Sequence, residues 1–306
     1  MPAVPAAVPS RELLPPEGVA HTIDTPEGPV YYLEAGTGEP LLLVSAWGPT
    51  PGATAWLAYR DVLAVLSKSY RCIVVELSNY GHTGPVTFHE PAHDVCVRAV
   101  VRVLDHLGLA RVTAIGTSMG ATTCLDLALQ HPERVERLVV GACHASTGGD
   151  PYVLAPFPGE AMRLHKESQA DPLNREKLER FLRALWYDEG NVTPELVGEL
   201  LAFRAEHMDH WRASIDSVSV PHSNVVALPT ITAPTLVIHG SADPLVTASG
   251  GRATARAIPG AELMTVKGMG HDMPRAIWPK LIDAIVDHTR EADGAEGRLP
   301  LQQAHP

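Results

Sequence analysis

Apolar runs alternate with amphipathic stretches along most of the chain. Three short runs, at 40–46, 71–77 and 111–116, each predict a strand that is buried on both faces of a sheet. Stretches with apolar residues at helical spacing lie between such runs, for example 91–109, which contains a terminating glycine. We therefore predict an α/β fold with a mostly parallel central sheet flanked by helices.

This rhythm is interrupted between residues 146 and 228, where the sequence predicts no buried strand. The interruption contains helix-like segments near 159–170, 173–188 and 193–214. An inserted helical cap is the simplest interpretation, because strands and helices alternate again after it. The predicted organisation is a disordered, proline-rich tail at 1–18, a core of 19–145 and 229–290, the cap at 146–228 and a flexible tail at 291–306.

Composition and charge narrow the class of protein. Of the 306 residues, 45% are hydrophobic, which is enough to bury a full core. The formal net charge of −11 argues against nucleic acid or an anionic membrane surface as a partner. The four cysteines form no C-x-x-C pair, and no apolar run reaches membrane-spanning length. With no signal-peptide pattern at the N-terminus, we expect a cytoplasmic protein that acts on a small molecule, either as a monomer or as a homodimer.

The run at 111–116 leads directly into Gly116-Thr-Ser-Met-Gly120 and then into a predicted helix. A G-x-S-x-G between a strand and a helix is the context in which a serine stands on a sharp turn as a nucleophile. The flanking glycines let the neighbouring backbone approach closely, and the helix N-terminus favours developing negative charge. Ser118 is therefore the candidate nucleophile, and a glycine-rich turn capped by serine is the alternative.

Two further polar residues follow predicted strands. Asp243 comes directly after the apolar run 233–240, and His271 lies in a glycine-rich stretch after the predicted strand 262–266. The carboxyl ends of parallel strands meet at one edge of a sheet, so we expect these two residues and Ser118 to converge there. In that arrangement His271 takes the serine proton, while Asp243 orients the imidazole and stabilises the imidazolium.

The order serine, aspartate, histidine along the chain is the order found in α/β-hydrolases. With the motif at Ser118, the chain resembles the serine-nucleophile branch of the α/β-hydrolase superfamily over about residues 19 to 290. The stretches 234–245 and 268–274 are similar to actinobacterial esterase-like members, including anthracycline methylesterases. The resemblance implies the family's fold, its catalytic triad and its helical cap.

The expected oxyanion loop departs from the family pattern. The stretch Trp47-Gly-Pro-Thr-Pro-Gly-Ala-Thr-Ala-Trp56 resembles the oxyanion loop of hydrolases that cleave carbon–carbon bonds of ring-cleavage products, with two extra residues. Where the family has His-Gly after its third strand, this chain has Ser45-Ala46. A backbone N–H is available whatever the side chain, so by register Trp47 and Met119 are the expected oxyanion donors.

Other residues are candidates for the surroundings of the triad. The family's D-x-x-G-x-G-x-S appears as 76–83, where Glu76 and Asn79 are replacements that could reshape the floor of the site. His207 and His210 lie at a spacing that metals can use, but without a third ligand we predict no metal site. The candidate substrate-binding residues, each of which could instead be structural, are Met162, Trp186, Trp211 and His144.

Three functional hypotheses follow. The first is a cofactor-independent serine hydrolase, carboxylesterase-like, that forms an acyl-enzyme on Ser118 and cleaves an ester of a small, moderately apolar molecule. The second is a related reaction at a carbon–carbon or lactone bond, including a biosynthetic polyketide-tailoring step. The third is a non-catalytic small-molecule binder; the altered residues at 45–46 and Glu76 favour it, and the complete triad argues against it.

Overall fold

A computed structural model describes residues 18–46, 55–142, 159–186, 189–218, 222–271 and 278–290 of the chain. The strands in these ranges are β1 (Val19–Thr25), β2 (Gly28–Ala35), β3 (Glu39–Ala46), β4 (Tyr70–Glu76), β5 (Val112–Ser118), β6 (Val135–Gly141), β7 (Thr235–Gly240) and β8 (Glu262–Val266). The α-helices in the same ranges are α1 (Ala55–Leu66), α2 (Ala92–His106), α3 (Met119–Gln130), α4 (Gly159–Ala170), α5 (Arg175–Leu185), α6 (Pro194–Glu206), α7 (Met208–Asp216), α8 (Ala248–Ala257) and α9 (Trp278–Arg290).

The eight strands form one sheet in the order β1-β2-β4-β3-β5-β6-β7-β8. The pairs from β4 through β3, β5, β6 and β7 to β8 are all parallel, and β2 is antiparallel to both β1 and β4. Every residue of β5 and β7 is buried, as expected where helices cover both faces of a parallel sheet. The predicted α/β fold with a mostly parallel central sheet is confirmed.

Two apolar cores cover the two faces of the sheet. On one face, Leu42 of β3 packs in a core with Val100 of α2 and Leu125 of α3. On the other face, Leu43 belongs to a core with Leu63 of α1. Neighbouring strand residues therefore face opposite cores, as the two-residue period of a strand requires.

The helices α4 to α7 lie between β6 and β7, where the sequence predicts the cap. Leu182 of α5 and Leu201 of α6 belong to a small apolar cluster within this insertion. A second cluster joins Leu164 of α4 and Leu185 of α5 to Leu245, in the loop after β7. The inserted helices therefore pack against the loop that carries Asp243.

The segment 193–214, expected as one helix, is divided into α6 and α7. His207 lies at the break with φ −117° and ψ 39°, outside the helical region. Its ring Nδ1 lies 3.0 Å from the carbonyl oxygen of Phe203, at the C-terminal end of α6. The apolar periodicity continues through the break, so it gave no sign of where the helix would end.

Some sequence-based expectations fall on residues outside the described ranges. Residues 1–17 of the predicted tail at 1–18 are among them, as are the predicted tail at 291–306 and Cys143. Cys72, Cys96 and Cys124 are free and buried, as expected of small apolar side chains. In the part of the chain that the structure describes, no helix is both long enough and apolar enough to cross a membrane.

Leu43→Ala should destabilise the fold strongly, because Leu43 is 0% exposed at the centre of the sheet. We expect the free energy of unfolding to fall by about 2–5 kcal/mol, the range for truncating a buried leucine. Leu173→Ala is the matched control, since Leu173 is 48% exposed, and it should change the value by no more than about 0.5 kcal/mol. Equal losses in guanidinium unfolding would contradict the assignment of this core.

Candidate active site

Ser118 stands on a sharp turn between β5 and α3. Its backbone has φ 54° and ψ −123°, a region that residues with a side chain rarely occupy and that costs about 1–3 kcal/mol. The turn is tight because Gly116 lies directly against the first turn of α3. A Cβ atom on Gly116 would lie 2.7 Å from the Cα of Ala121. The strand–turn–helix geometry expected of the G-x-S-x-G motif is thus present.

His271 connects the hydroxyl of Ser118 to the carboxylate of Asp243. Its Nε2 lies 3.0 Å from the Ser118 Oγ, and its Nδ1 lies 2.9 Å from an Asp243 Oδ2. All three residues are buried, at 6% exposure or less. With the Nδ1 proton donated to the carboxylate, Nε2 is left as an acceptor for the serine proton. This arrangement can make the hydroxyl a nucleophile.

The carboxylate of Asp243 is fixed from both sides. Its Oδ1 accepts hydrogen bonds from the backbone N–H groups of Leu245 and Val246, each 2.8 Å long. Burial by itself raises the pKa of Asp243, but the charge and hydrogen bond of His271 and the two N–H donors outweigh it. The pKa of Asp243 is therefore held below its ordinary value, so the group is a carboxylate near neutral pH.

Close backbone contacts hold the loops of Asp243 and His271 together. The N–H of Ala242 donates to the carbonyl oxygen of Met269 over 3.0 Å. A Cβ atom on Gly240, at the end of β7, would lie 2.7 Å from the carbonyl carbon of Met269. The N–H of His271 also donates to the carbonyl oxygen of Leu185, which ends α5. The inserted helices thus help to position the imidazole.

His239 is a neighbour of the triad that the sequence did not single out. Its Nε2 lies 2.8 Å from the carbonyl oxygen of Val246 and 3.6 Å from the Oδ2 of Asp243. Burial is the largest influence on its pKa and lowers it, although both Val246 and Asp243 act in the opposite direction. A neutral His239 supports the loop that binds Asp243. It is one of 15 histidines and lies within an apolar strand, so the sequence carried no local signal for it.

A small cavity adjoins His271 on the α1 face of the sheet. Tyr59 and Thr117 contribute to it, and the Tyr59 hydroxyl donates to the Val44 carbonyl oxygen. The described apolar side chains that line the cavity are Val62, Ile115, Val139, Ala142, Ile238, Met269 and Ile285. Among its described lining residues, none is a lysine, arginine, aspartate or glutamate. Such a cavity suits an apolar group better than a charged one.

The two expected oxyanion donors differ in how far the structure describes them. Met119 is the first residue of α3, so its N–H has no partner within the helix and can face a ligand. The Met119 sulfur accepts a hydrogen bond from the Tyr80 hydroxyl over 3.8 Å. Trp47 lies outside the described residues, and its role stays a prediction.

Among the candidate substrate-binding residues, the structure describes the side chains of Trp186 and Trp211, and neither belongs to the described lining of the cavity. Trp186 directly follows α5 and packs against the apolar cluster that joins α5 to α6. The indole N–H of Trp211 donates to the carbonyl oxygen of Gln169 over 3.2 Å. Met162 belongs to α4 but its side chain is not described, and His144 lies outside the described ranges. Contact of these four residues with a substrate stays a prediction.

Glu76 and Asn79 stabilise their own loop. The buried Glu76 accepts hydrogen bonds from the backbone N–H of His82 over 2.6 Å and from its ring over 3.0 Å. Asn79, with φ 67°, donates to the carbonyl oxygen of Val86 and accepts from its N–H. The His82 ring also lies 5.0 Å from that of Phe203 in α6. The loop that Glu76 and Asn79 stabilise therefore contacts the inserted helices through His82.

Comparison with known proteins adds to this geometry. The model of the alpha/beta hydrolase family matches residues 41–277, which is more than half of the chain. The chain belongs to the α/β-hydrolase family. The serine nucleophile motif and the strand order are consistent with its serine-dependent branch.

The relatives similar in sequence include hydrolases named for 2-hydroxy-6-oxo acids. The chain is 32% identical over 247 residues to a 2-hydroxy-6-oxononadienedioate/2-hydroxy-6-oxononatrienedioate hydrolase of Burkholderia vietnamiensis, covering 79% of this chain and 84% of that protein. It is 29% identical over 253 residues to a 2-hydroxy-6-oxo-6-phenylhexa-2,4-dienoate hydrolase of Comamonas testosteroni, with the same coverage of 79% and 84%. The narrower resemblance to anthracycline methylesterases finds no support in these relatives.

Solved structures support the α/β-hydrolase fold. A meta-cleavage product hydrolase from Pseudomonas fluorescens IP01 has a TM-score of 0.75 at 21% identity, covering 89% of this chain and 98% of that one. The enol-lactonase from Burkholderia xenovorans LB400 has a TM-score of 0.67 at 21% identity, covering 89% of this chain and 100% of that one. At these identities the likeness concerns the fold.

Gly116→Ala should displace α3 from the end of β5, because a Cβ there meets backbone atoms that have no room to move. We expect loss of Ser118 labelling by a fluorophosphonate and a fall in the free energy of unfolding of about 2 kcal/mol or more. Gly108→Ala is the control: Gly108 has φ +65° with nothing near its Cβ, so it should cost only about 1 kcal/mol of backbone strain. Full labelling of the Gly116 variant would contradict the tight turn.

Asp243→Asn should remove a pH-dependent part of the stability. Folding lowers the pKa of Asp243, so its contribution is present above the unfolded-state pKa of about 3.9. The contribution is lost as the pH falls through the lower folded-state pKa. The difference in free energy of unfolding between wild type and variant should therefore shrink from about pH 6 to about pH 3 in urea titrations. A difference that grows on acidification would contradict the lowered pKa.

Proposed function

We propose that this chain is a cofactor-independent serine hydrolase that cleaves an ester of a small, moderately apolar molecule. The observation that carries the proposal is the continuous hydrogen-bonded connection from Ser118 through His271 to Asp243, with lengths of 3.0 and 2.9 Å. Membership of the α/β-hydrolase family supports the same reaction class. The ester as the bond cleaved is the more specific part of the proposal.

In the first half of the reaction the Ser118 hydroxyl attacks the ester carbonyl carbon. His271 Nε2 takes the hydroxyl proton as the new carbon–oxygen bond forms, and the carbonyl oxygen becomes an oxyanion. The Asp243 carboxylate stabilises the imidazolium. The imidazolium then gives its proton to the leaving alcohol, the ester bond breaks, and an acyl group stays on Ser118.

In the second half a water molecule replaces the alcohol. His271 takes a proton from the water as its oxygen attacks the acyl carbon. Collapse of the second tetrahedral intermediate returns the proton to the Ser118 oxygen and releases a carboxylic acid. The side chains return to their starting state. Each proposed step uses only these side chains, the backbone donors and water.

The oxyanion in both halves needs donors that are already oriented. The N–H of Met119 is one, because it points out of the first turn of α3, where the helix dipole also favours negative charge. The N–H of Trp47 is the proposed second donor. Removing one such donor typically costs about 10²–10³-fold in kcat, so both are needed for full activity.

The apolar cavity beside His271 supports the choice of substrate class. Its described lining is apolar apart from Tyr59, Thr117 and His271. The cavity has a volume of about 20 Å³, which holds little more than one water molecule or a methyl group, and a carboxylate would be buried there without a described cationic partner. We therefore place at most the uncharged end of a substrate group at this position.

Cleavage of a carbon–carbon bond is the second candidate. It is favoured by the relatives in Burkholderia vietnamiensis and Comamonas testosteroni, whose names describe hydrolases of 2-hydroxy-6-oxo acids. The same nucleophile and base serve an attack on a ketone carbonyl, so the triad does not separate the two reactions. The two reactions differ in the leaving group, because a carbon–carbon hydrolase has to protonate a carbon atom instead of an alcohol oxygen.

Ser118→Ala should lower kcat for p-nitrophenyl butyrate by about 10⁴-fold or more and abolish fluorophosphonate labelling. Ser67→Ala is the matched control. Ser67 is buried at the end of α1, and its hydroxyl makes no hydrogen bond, so its loss should leave turnover and labelling unchanged. Both variants should unfold near the wild-type temperature. A folded wild type that is never labelled would favour the non-catalytic binder.

A comparison of two substrates separates the two hydrolytic candidates. The ester proposal expects kcat/KM for p-nitrophenyl butyrate to exceed that for 2-hydroxy-6-oxo-6-phenylhexa-2,4-dienoate by about 100-fold or more, a difference of roughly 3 kcal/mol in transition-state stabilisation. If the protein instead prefers the dienoate, and Ser118→Ala abolishes that activity, carbon–carbon cleavage becomes the supported reaction and the ester proposal is wrong.

A further inference from the structure

A second cluster of polar side chains surrounds Asp126 of α3. Asp126 lies seven residues after Met119, or about 10 Å along the helix. It consists of His93 from α2, Asp126 from α3 and His222, which precedes β7. One potential ligand atom from each lies within 4.8 Å of the other two. The cluster is separate from the triad and takes no part in the proposed reaction.

The two oxygens of the Asp126 carboxylate differ in how well they are hydrogen-bonded. Oδ1 of Asp126 accepts from the Asn224 side chain over 2.9 Å and lies 3.1 Å from His222 Nε2. Oδ2 of Asp126 is buried 2.9 Å from Nε2 of His222 and 3.5 Å from Nδ1 of His93, contacts that are close but poorly aligned for hydrogen bonds.

The charge of Asp126 is also uncompensated by a permanent cation. Its ion-pair contacts among the described residues are with His93 at 3.5 Å and His222 at 2.9 Å, and neither lysine nor arginine joins them. Buried carboxylates are otherwise paired with a cation or bind a metal ion. The site therefore has one negative charge, two imidazoles and a need for positive charge.

The two imidazoles are oriented towards the same carboxylate. Their rings stack with centroids 3.9 Å apart and planes 13° apart, so that Nδ1 of His93 and Nε2 of His222 both face Oδ2 of Asp126. Ligands of a tetrahedral zinc ion lie about 3.3 Å from one another, given metal–ligand bonds of about 2.0–2.2 Å. The distances of 2.9 and 3.5 Å bracket that value.

We propose that His93, Asp126 and His222 bind a divalent transition-metal ion, with Zn²⁺ as the best fit. Two neutral imidazoles and one carboxylate are ligands that zinc accepts, and a fourth position remains for water or the side-chain oxygen of Asn224. That Asn224 oxygen is buried without a hydrogen bond. Binding of the ion forms coordination bonds only.

The site joins three separate parts of the chain. It connects α2, α3 and the segment 222–224. The chain returns from the inserted helices to β7 through that segment. A metal ion that binds the folded state alone stabilises it in proportion to the logarithm of its concentration. The ion therefore acts on the stability of the fold, and the triad works without it.

The test uses the full chain after removal of metal with a chelator. Titration with ZnCl₂ by isothermal titration calorimetry should give one site per chain, with Tm rising as zinc is added. His93→Phe keeps a ring against His222 but removes a ligand, and should weaken zinc binding by more than about 100-fold. His131→Phe is the matched control, because the half-exposed His131 has the carboxylate of Glu133 beside it and is not part of the cluster. The zinc affinity of this variant should equal that of the wild type.

Asp126→Asn is the second variant, in case His93→Phe does not fold. It keeps an oxygen that can accept from Asn224 and removes the charge, so it too should lose zinc binding. Absence of saturable binding by the metal-free protein would overturn the proposal. Unchanged zinc affinity in the folded His93→Phe or Asp126→Asn variant would overturn it as well, because the ion would then bind other histidines.

Discussion

The contact between Gly116 and α3 is the constraint on which the rest of the site depends. Because α3 follows β5 with no intervening loop, the chain has to change direction within one residue. Ser118 is that residue, and it has a positive φ. The strain of about 1–3 kcal/mol is sustained by the buried strand and helix on either side. In return, the hydroxyl stands clear of the sheet at the N-terminus of a helix, where negative charge is favoured.

The parallel sheet then determines which side chains meet that hydroxyl. Strands β5, β7 and β8 run in the same direction, so the loops after them lie at one edge. The loops are held by backbone contacts such as Ala242 to Met269, and α5 adds the hydrogen bond from His271 to Leu185. Family membership and this geometry agree on a hydrolase, and the identity of the bond cleaved depends on what surrounds the triad.

The sequence predicted those features that have a local signal. Buried parallel strands are continuous apolar runs, and the nucleophile turn is a five-residue motif, so the fold and the positions of Ser118, Asp243 and His271 relative to strands were accessible. The break at His207, the support from His239 and the Glu76–His82 pair were not, because each depends on contacts that periodicity does not encode. His93, Asp126 and His222 come from three distant segments and are likewise invisible in the sequence.

The most direct test of the central claim is to trap the intermediate and locate it. Wild-type protein mixed with p-nitrophenyl butyrate is quenched in acid, digested and analysed by mass spectrometry. A butyryl group on the peptide that contains Ser118, absent from the Ser118→Ala variant, is the predicted result. Turnover of the ester with a butyryl group on another residue, or turnover that survives in Ser118→Ala, would contradict the activation of Ser118 by His271.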